Sequence, residues 1–392
     1  MPNPRCDYFE AGRCRSCALI ETPYAEQLSA KEARCRELLE TVPGGAWLPA
    51  VEGGVRDFRN KAKLVVGGRR GAVMLGILGP DGAGVDLRDC LIQQPGIRAA
   101  IPRLAEFLDG TGLWPYDVPR RRGELKFAHV TESPDGELMV RFVVRSERAL
   151  ETLRGALPRL LAALPRLAVV TVNILPEHKA VLEGEREEIL LGASLDMDLG
   201  PVSLHLRPQS FFQTNTPVAR ALYAQAAEWV AERRPRTLWD LYCGVGGFAL
   251  HCASGAGDGA SGAGSRADAA GGVSVLGVEV SEEAVRSAER SAAEAGIDAR
   301  FFAADATAFA LGSRAEDRPE ALIVNPPRRG IGAELSAWVE GSGIDTVVYS
   351  SCNPESLARD LAAMPSYRVL AARVFDMFPH TKHLEVMVLL VR

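Results

Sequence analysis

The amino-acid sequence predicts an α/β protein in which a doubly wound parallel sheet follows a mixed α+β region. From about residue 210 onward, strand-like and helix-like patterns alternate, which is typical of a parallel sheet covered by helices. Before that point, short β-like runs and Gly/Pro turns are interrupted by two longer helical patterns. A chain of 392 residues is long enough for two such domains, each with its own core.

Composition limits the class of protein. Hydrophobic residues make up 47% of the chain and charged residues 24%, which is ordinary for a globular protein. No long apolar run and no signal-peptide core are present, so we expect a cytoplasmic protein without a membrane partner. The net charge of -5 does not by itself indicate a nucleic-acid-binding protein, although a local basic face can still hold phosphates.

The N-terminal region, residues 1–205, is predicted element by element. Residues 24–41 have the spacing of one amphipathic helix, which is a candidate to pack on the C-terminal domain. Strands are predicted at 62–66, 138–144 and 169–174, and helices at 98–108 and 150–164.

The C-terminal region, residues 206–392, begins with a predicted helix that runs to about residue 233. Thr216 is the expected N-cap of this helix, and Pro217 takes the first helical position. Residues 254–272 are rich in Gly, Ala and Ser and are predicted to form a flexible surface insertion, since they have almost nothing to bury. Strands are predicted at 237–243, 273–280, 321–325, 346–351 and 385–391.

The N-terminal cysteines indicate a metal site. Cys6, Cys14 and Cys17 have the spacing C-x7-C-x2-C, and a chain in a reducing compartment has little use for structural disulfides. Cys90 is a better fourth ligand than Cys35, which lies in a helical pattern. Zinc and an iron–sulfur cluster both accept four thiolates, and unligated thiols are the remaining alternative.

Residues 239–248, WDLYCGVGGF, have the pattern of a strand, a glycine-rich turn and a helix. Such a turn lets the backbone approach a ligand, but the third spaced glycine of dinucleotide-binding turns is absent. S-adenosylmethionine, which has no pyrophosphate, fits this pattern better. Glu279, near the end of the next strand, can bind ribose hydroxyls, and Asp305 either contacts the adenine amine or lies in a solvated loop. The alternative for the turn and Glu279 is a structural turn followed by a surface glutamate.

Three motifs near the C-terminus have the residue types of a reactive site. Asn325 begins NPPRRG after a buried strand, so its side chain and those of Arg328 and Arg329 are expected in a ligand crevice. Cys352 follows another strand and precedes a helix N-terminus, which could lower the pKa of its thiol. Glu385 opens the last apolar strand, where a carboxylate is costly unless it has a role such as that of a base. The alternatives are a proline turn with solvated arginines, a core cysteine and an edge-strand glutamate.

Together these motifs resemble the RNA uracil-C5 methyltransferases, most closely the members that act on uridine 747 of 23S ribosomal RNA. The resemblance covers nearly the whole chain. It includes DYFEAGRCRSC at 7–17, FRNKAKLVV at 58–66, RPQSFFQTN at 207–215, NPPRRGIG at 325–332, YSSCN at 349–353 and FDMFPH at 375–380. Many relatives have an extra β-barrel RNA-binding module before the first cysteine, for which Cys6 leaves no room, and this favours the shorter, single-site class.

The resemblance implies a fold and a set of roles. The fold is a Rossmann-like class I methyltransferase domain at 206–392 behind an N-terminal α+β domain at 1–205 that carries a [4Fe–4S] cluster and binds RNA. The implied cluster ligands are Cys6, Cys14, Cys17 and Cys90, the implied S-adenosylmethionine contacts are Gln213, Tyr242, Glu279 and Asn325, and the implied nucleophile and base are Cys352 and Glu385.

The implied reaction methylates carbon 5 of a uridine in 23S ribosomal RNA, and no obligate protein partner is expected. A thiolate adds to carbon 6 of uracil, carbon 5 then takes the methyl group, and a base removes the carbon 5 proton. Two alternatives remain, a tRNA uridine-C5 methyltransferase and a non-catalytic iron–sulfur RNA-binding protein. The second leaves Cys352 and the cofactor turn unexplained.

Overall fold

A computed structural model of the chain describes residues 3–79, 84–178, 181–255 and 273–392. The chain divides into two compact units, Met1–Ile20 with Gly54–Met197 and Glu21–Gly53 with Asp198–Arg392. The boundary between functional domains at 205 and 206 stays a prediction, because compactness alone assigns no role to a unit. Of the flexible insertion predicted at 254–272, all but the first two residues lie outside the described residues.

The described residues form helices and strands in the following order. The helices are α1 (Asp7–Glu10), α2 (Tyr24–Leu38), α3 (Pro95–Thr111), α4 (Glu147–Ala163), α5 (Thr216–Arg233), α6 (Gly247–Ala253), α7 (Glu282–Ala295), α8 (Ala306–Leu311), α9 (Gly332–Gly341) and α10 (Pro354–Ala362). The strands are β1 (Lys61–Arg69), β2 (Ala72–Leu78), β3 (Gly84–Asp86), β4 (Leu125–Glu132), β5 (Leu138–Val144), β6 (Leu167–Ile174), β7 (Arg186–Leu191), β8 (Leu195–Asp198), β9 (Ser203–Leu206), β10 (Thr237–Leu241), β11 (Ser274–Glu279), β12 (Ala299–Ala303), β13 (Ala321–Val324), β14 (Thr346–Ser351), β15 (Arg368–Phe375) and β16 (Glu385–Val391). Within the ranges that the structure describes, no helix is both long and apolar enough to cross a membrane.

The first unit is built on a seven-stranded sheet in the order β3-β2-β1-β4-β5-β6-β7. Neighbouring strands are antiparallel except β5 and β6, which are parallel and are joined through α4, the crossover that a parallel pair requires. Alternate strand residues such as Leu64 and Val66 bury one face of the sheet against Leu104 of α3 and Leu150 of α4. The strands predicted at 62–66, 138–144 and 169–174 and the helices predicted at 98–108 and 150–164 are confirmed, with bounds that differ by up to three residues.

The second unit is built on a mixed seven-stranded sheet in the order β12-β11-β10-β13-β14-β16-β15. The first five strands are parallel, whereas β16 is antiparallel to both β14 and β15. The prediction of a parallel sheet is therefore wrong for the strand predicted at 385–391, which alone runs against the other described strands of this sheet. Residues 376–384 are too short a connection between β15 and β16 for a parallel crossover, so the two strands pair as a hairpin.

The strand order places a ligand crevice in the middle of this sheet. β10 lies between β11 and β13, so the strands that follow it in sequence are placed first on one side of it and then on the other. Ligand crevices form outside the carboxyl ends of the strands at such a point.

α5 begins beside this crevice, but the predicted N-cap is wrong by one residue. Asn215 is the cap, because its side chain accepts a hydrogen bond from the Val218 amide, and Thr216 is already helical.

Residues 21–53 belong to the second unit through backbone and side-chain contacts. In the segment beside β15, the Leu48 amide donates to the Ala372 carbonyl at 2.8 Å. The Val51 amide donates to the Val374 carbonyl, also at 2.8 Å. Cys35 of α2 is completely buried in the apolar core of this unit. α2 ends at Leu38, three residues earlier than predicted.

Candidate active site

A cavity of about 660 Å³ lies at the carboxyl edge of the parallel strands of the second unit. Four strands each supply a side chain where they end: Tyr242 follows β10, Glu279 ends β11, Asn325 follows β13 and Cys352 follows β14. The cavity therefore joins residues that the sequence places far apart. Gln213 and Glu385 line it as well, so it holds all six residues proposed above for the cofactor and the chemistry.

The glycine-rich turn between β10 and α6 has an unusual backbone. Tyr242 has a φ of 66°, a left-handed conformation that is rare for a non-glycine residue and that concentrates at functional sites. A Cβ at Gly247 would lie 2.5 Å from the Tyr223 ring, so only glycine fits there. The Gly244 amide donates to Glu279 Oε2 at 3.2 Å, which ties the turn to the end of β11. The turn is thus held with its backbone along the cavity wall.

Cys352 lies between β14 and α10, with its thiol half-buried at the cavity. Burial raises the pKa of this thiol, and the Glu385 carboxylate raises it further, while Arg328 acts in the opposite direction. The expectation of a lowered pKa is therefore wrong, because burial and a neighbouring negative charge outweigh the effect of the helix N-terminus.

Glu385 is buried at the first position of β16, with 2% of its surface exposed. The Ser350 hydroxyl donates to Glu385 Oε1 at 2.6 Å. Burial raises the pKa of the Glu385 carboxyl to about 7, and the hydrogen bond from Ser350 opposes this rise. A carboxylate whose pKa lies near neutrality is suited to accept a proton at physiological pH. An edge-strand glutamate in water, the alternative considered from the sequence, is excluded.

The loop from Asn325 to Ile331 is fixed by α10 and by Asn353, the N-cap of this helix. Asp360 Oδ2 accepts hydrogen bonds from the Ile331 amide at 2.9 Å and from the Tyr349 hydroxyl at 2.7 Å. The Asn353 side chain donates to the Arg328 carbonyl at 3.1 Å. These bonds hold the backbone, whereas the side chains of Arg328 and Arg329 are exposed and line the cavity.

The remaining wall includes residues that the sequence did not identify. Tyr223 of α5 and Phe378 of the connection before β16 line the cavity with the exposed Phe211. The FDMFPH motif was a signal for Phe378, but nothing in the sequence singled out Tyr223. Asp305 also lines the cavity, and its side chain accepts from the Ala308 amide at 2.8 Å, so it caps α8.

The four N-terminal cysteines meet in the first unit rather than at this cavity. Cys6, Cys14, Cys17 and Cys90 line one cavity of about 230 Å³ beside Arg59. Burial raises the pKa of the Cys17 thiol to about 12, and the nearby thiols of Cys90, Cys14 and Cys6 add to this effect, so the four sulfurs are neighbours. In the described parts of the chain, however, no group of three or more His, Cys, Asp or Glu side chains is arranged to hold a metal ion.

The chain is similar to known proteins over nearly its whole length. The family described as tRNA (Uracil-5-)-methyltransferase matches residues 309–392. A 23S rRNA (uracil(747)-C(5))-methyltransferase of Halothiobacillus neapolitanus is 49% identical over 99% of both chains. A protein of the same name from Shewanella amazonensis is 47% identical over 99% of this chain and 97% of its own.

A solved structure has the same fold over the full length. The tRNA (uracil-54, C5)-methyltransferase of Pyrococcus abyssi, in complex with S-adenosyl-L-homocysteine, has a TM-score of 0.78 and 25% identity. The match covers 100% of this chain and 86% of that chain. The arrangement described above is thus similar to that of a Rossmann-like methyltransferase with mixed sheets.

Proposed function

The chain belongs to the RNA uracil-C5 methyltransferase family, and from this premise we propose that it methylates carbon 5 of uridine 747 in 23S ribosomal RNA, with S-adenosylmethionine as the methyl donor. One structural observation carries the proposal. A thiol (Cys352), a buried carboxylate with a raised pKa (Glu385) and a glycine-rich turn border the same cavity. The reaction needs a nucleophile, a base and a bound methyl donor within reach of one another.

The residues at the turn fit S-adenosylmethionine. Glu279 lies half-buried at the end of β11, where a carboxylate accepts hydrogen bonds from both ribose hydroxyls. Gly244 and Gly247 bring the backbone of the turn to the cavity, and Gln213 and Asn325 offer amides to the methionine portion. When bound, the cofactor supplies a methyl group on a positively charged sulfur, and these four residues orient it.

Cys352 and Glu385 perform the covalent chemistry. The Cys352 thiolate adds to carbon 6 of uracil, and the electron pair of the 5,6 double bond moves toward the carbonyl, so carbon 5 becomes nucleophilic and takes the methyl group. Glu385 then accepts the carbon 5 proton, the double bond re-forms and the thiolate leaves. Arg328 stabilises the thiolate, since its positive charge acts against the effects that raise the thiol pKa.

We also propose that residues 1–205 form the cluster-bearing and RNA-binding region, with the helix predicted at 24–41 packed on the methyltransferase domain, and that this domain consists of residues 206–392. In this proposal Cys6, Cys14, Cys17 and Cys90 ligate a [4Fe–4S] cluster. It is supported by the common cavity of the four thiols and by the burial of Cys35 in the other unit, which excludes Cys35 as the fourth ligand. Thiolates are the ligands of both iron–sulfur clusters and structural zinc, so the metal itself is the part to be tested.

A tRNA uridine is the second candidate substrate, since the matching family description and the similar solved structure both refer to tRNA. Nucleotide-resolution mapping of 5-methyluridine decides between them. A strain lacking the protein should lose the methyl group at uridine 747 of 23S rRNA and keep those of tRNA. Wild-type protein should restore it and Cys352→Ala should not, even though Cys352→Ala still binds the cofactor. Loss confined to tRNA would contradict the proposal.

A further inference from the structure

A separate cavity of about 410 Å³ opens on the first unit, on the face of the sheet opposite α3 and α4. Its floor is Val65 of β1 and Phe127 of β4, which pair with each other and point away from the core residues Leu64 and Ala128. Tyr116, Val118, Lys126 and His178 are among its other lining residues.

A β-bulge shapes this cavity. Opposite β5, Leu125 pairs with Val144 but Phe127 pairs with Val143, so Lys126 is an extra residue in β4. Bulges re-aim side chains and are frequent beside functional sites. The Lys126 ammonium, on a side chain only 6% exposed, donates to the Glu177 carbonyl at 2.6 Å and lies 4.9 Å from the centre of the Tyr116 ring. A buried cation thus holds an aromatic ring in the wall.

A turn of three consecutive arginines adjoins the same wall. The Asp117 amide donates to the Arg122 carbonyl at 2.7 Å, so the turn of residues 117–122 folds back beside Tyr116 and Val118. Arg120 is paired with Asp117 at 3.0 Å. Arg121 and Arg122 are exposed, and neither forms an ion pair with any part of the chain that the structure describes. Acidic side chains beside the wall include Glu177, which is exposed, and Asp117, which is paired with Arg120.

We propose that this cavity takes one unstacked nucleobase of the substrate RNA, with the adjoining phosphates bound by Arg121 and Arg122. Phe127 and Tyr116 supply the π-faces on which a base stacks, and two unpaired guanidinium groups at the rim match a strand that carries one negative charge per nucleotide. A protein partner does not by its nature require two exposed guanidinium groups at the rim, whereas an RNA strand does. The inference rests on the proposed RNA substrate and adds a second contact site, in the first unit.

The stacking contact is tested with Phe127→Leu, which keeps an apolar side chain but removes the ring, and with Phe127→Trp, which keeps a π-face. The dissociation constant of an rRNA fragment that contains the target uridine is measured by fluorescence anisotropy. Phe127→Leu should weaken binding roughly 5- to 150-fold, the range expected when one stacked base loses 1–3 kcal/mol. Phe127→Trp should bind like the wild type, and in both variants cofactor affinity and kcat at saturating RNA should be unchanged.

The phosphate contact is tested with the double variant Arg121→Gln/Arg122→Gln. The slope of log affinity against log salt should become shallower by about 1.4, since each phosphate contact to a single strand contributes roughly 0.7. A matched control, Arg103→Gln/Arg154→Gln, removes two exposed arginines from α3 and α4 on the other face and should keep the wild-type slope.

Photocrosslinking, combined with binding and methylation measurements on the wild type, distinguishes a failure of this inference from a failure of the proposed function. Photocrosslinking with 4-thiouridine-substituted RNA should attach a nucleotide within residues 114–128. The inference is overturned if the wild type binds and methylates the RNA, but no crosslink falls there and the Phe127 and arginine variants keep wild-type affinity. If the wild type binds RNA with these crosslinks and does not methylate it, the inference stands and the proposed function fails.

Discussion

Cys352 and Glu385 come together because β16, the last strand of the chain, runs against the other described strands of its sheet. In the pairing of β14 with β16, Ser351 lies opposite Val386, so Cys352 and Glu385 occupy the next register position. Had β16 been parallel to β14, its first residue would lie at the amino edge of the sheet, away from the thiol. Because β16 is antiparallel, Glu385 at its start is a neighbour of Cys352, the residue that follows β14.

Ser350 should tune the base, because its hydroxyl donates to Glu385 Oε1 and so favours the ionised carboxylate. Glu385 must be ionised to accept a proton, so its protonation should lower wild-type activity below about pH 7, in addition to the loss caused by protonation of the Cys352 thiol. Ser350→Ala removes the donor, and the acidic limb of the kcat/KM profile should move to higher pH by about one unit. The loss should therefore be large at pH 6.5 and small at pH 9.

The matched control is Ser336→Ala, which truncates a fully buried serine of α9 outside the cavity and should leave the profile in place. An unshifted profile in Ser350→Ala would show that the hydrogen bond has no effect on the base.

Glu385 should also lower the stability of the protein as the pH rises. Its pKa in the folded protein is about 7 against an ordinary value of 4.5, so the folded state binds the proton more tightly than the unfolded state. Stability is lost between pH 4.5 and 7 by up to about 3 kcal/mol. Glu385→Gln removes this titration. Its thermal unfolding midpoint should exceed that of the wild type at pH 8 and approach it at pH 5, and an equal gap at both pH values would contradict the raised pKa.

The residues of the site differ in how far the sequence could identify them. Cys352 and Glu385 stand out because a thiol after a strand and a carboxylate at the start of an apolar strand are both unusual. Ser350 does not stand out, because its contact depends on the register of an antiparallel pair. The direction of the Cys352 pKa shift was predicted wrongly, since burial beside a carboxylate depends on the tertiary structure.

At the scale of elements, α2 fixes the connection between β15 and β16. Lys31 donates to Asp376 Oδ1 at 2.6 Å and to the Phe378 carbonyl at 3.0 Å, and the Tyr24 hydroxyl donates to Asp376 Oδ2 at 2.9 Å. The Lys31 and Asp376 side chains are at most 4% exposed. Because Phe378 lines the cavity and Glu385 follows it, this buried pair positions one wall of the site.

Breaking this pair should therefore damage both stability and activity. Lys31→Met leaves the Asp376 charge buried without its main partner, which typically costs about 3–5 kcal/mol. The free energy of unfolding should fall by that order, and the KM for RNA should rise as Phe378 loses its anchor. Arg34→Gln on the same helix breaks an exposed pair with Glu355 and should cost less than about 1 kcal/mol. Equal stability losses in the two variants would contradict the positioning role of Lys31.

In the C-terminal sheet most strands followed from local patterns, whereas β12 and β15 did not. β12 has one buried residue and β15 alternates poorly, so neither has the long apolar run that identified their neighbours. The antiparallel direction of β16 could be inferred only once β15 was recognised, because the hairpin between them sets it. The start of α5 was placed one residue late, since Asn215 and Thr216 are both good N-caps.

At the scale of the whole molecule, the chain has two compact units with different chemistry. The second unit holds the proposed cofactor and catalytic residues, and the first holds the four N-terminal cysteines in one cavity. Sequence spacing identified these cysteines and favoured Cys90 over Cys35. It could not show that residues 21–53, which separate the first three cysteines from Cys90, belong to the second unit.

The cluster proposal predicts the appearance of the purified protein. Anaerobic purification should give a brown protein with four irons per chain, because a [4Fe–4S] cluster absorbs visible light, and Cys17→Ser should bleach it. Cys35→Ser is the matched control and should keep the colour, since Cys35 lies in the core of the other unit. A colourless protein with stoichiometric zinc would contradict the cluster.

The most direct test of the central claim is to trap the covalent adduct between Cys352 and the substrate base and to measure its mass. Glu385→Gln, incubated with the rRNA fragment and S-adenosylmethionine, should accumulate a covalent protein–RNA adduct, because the methylated base keeps its carbon 5 proton and the thiolate cannot leave. After digestion, mass spectrometry should find a methylated uridine attached to the peptide that contains Cys352. An adduct on another residue, or wild-type turnover by Cys352→Ala, would contradict the account.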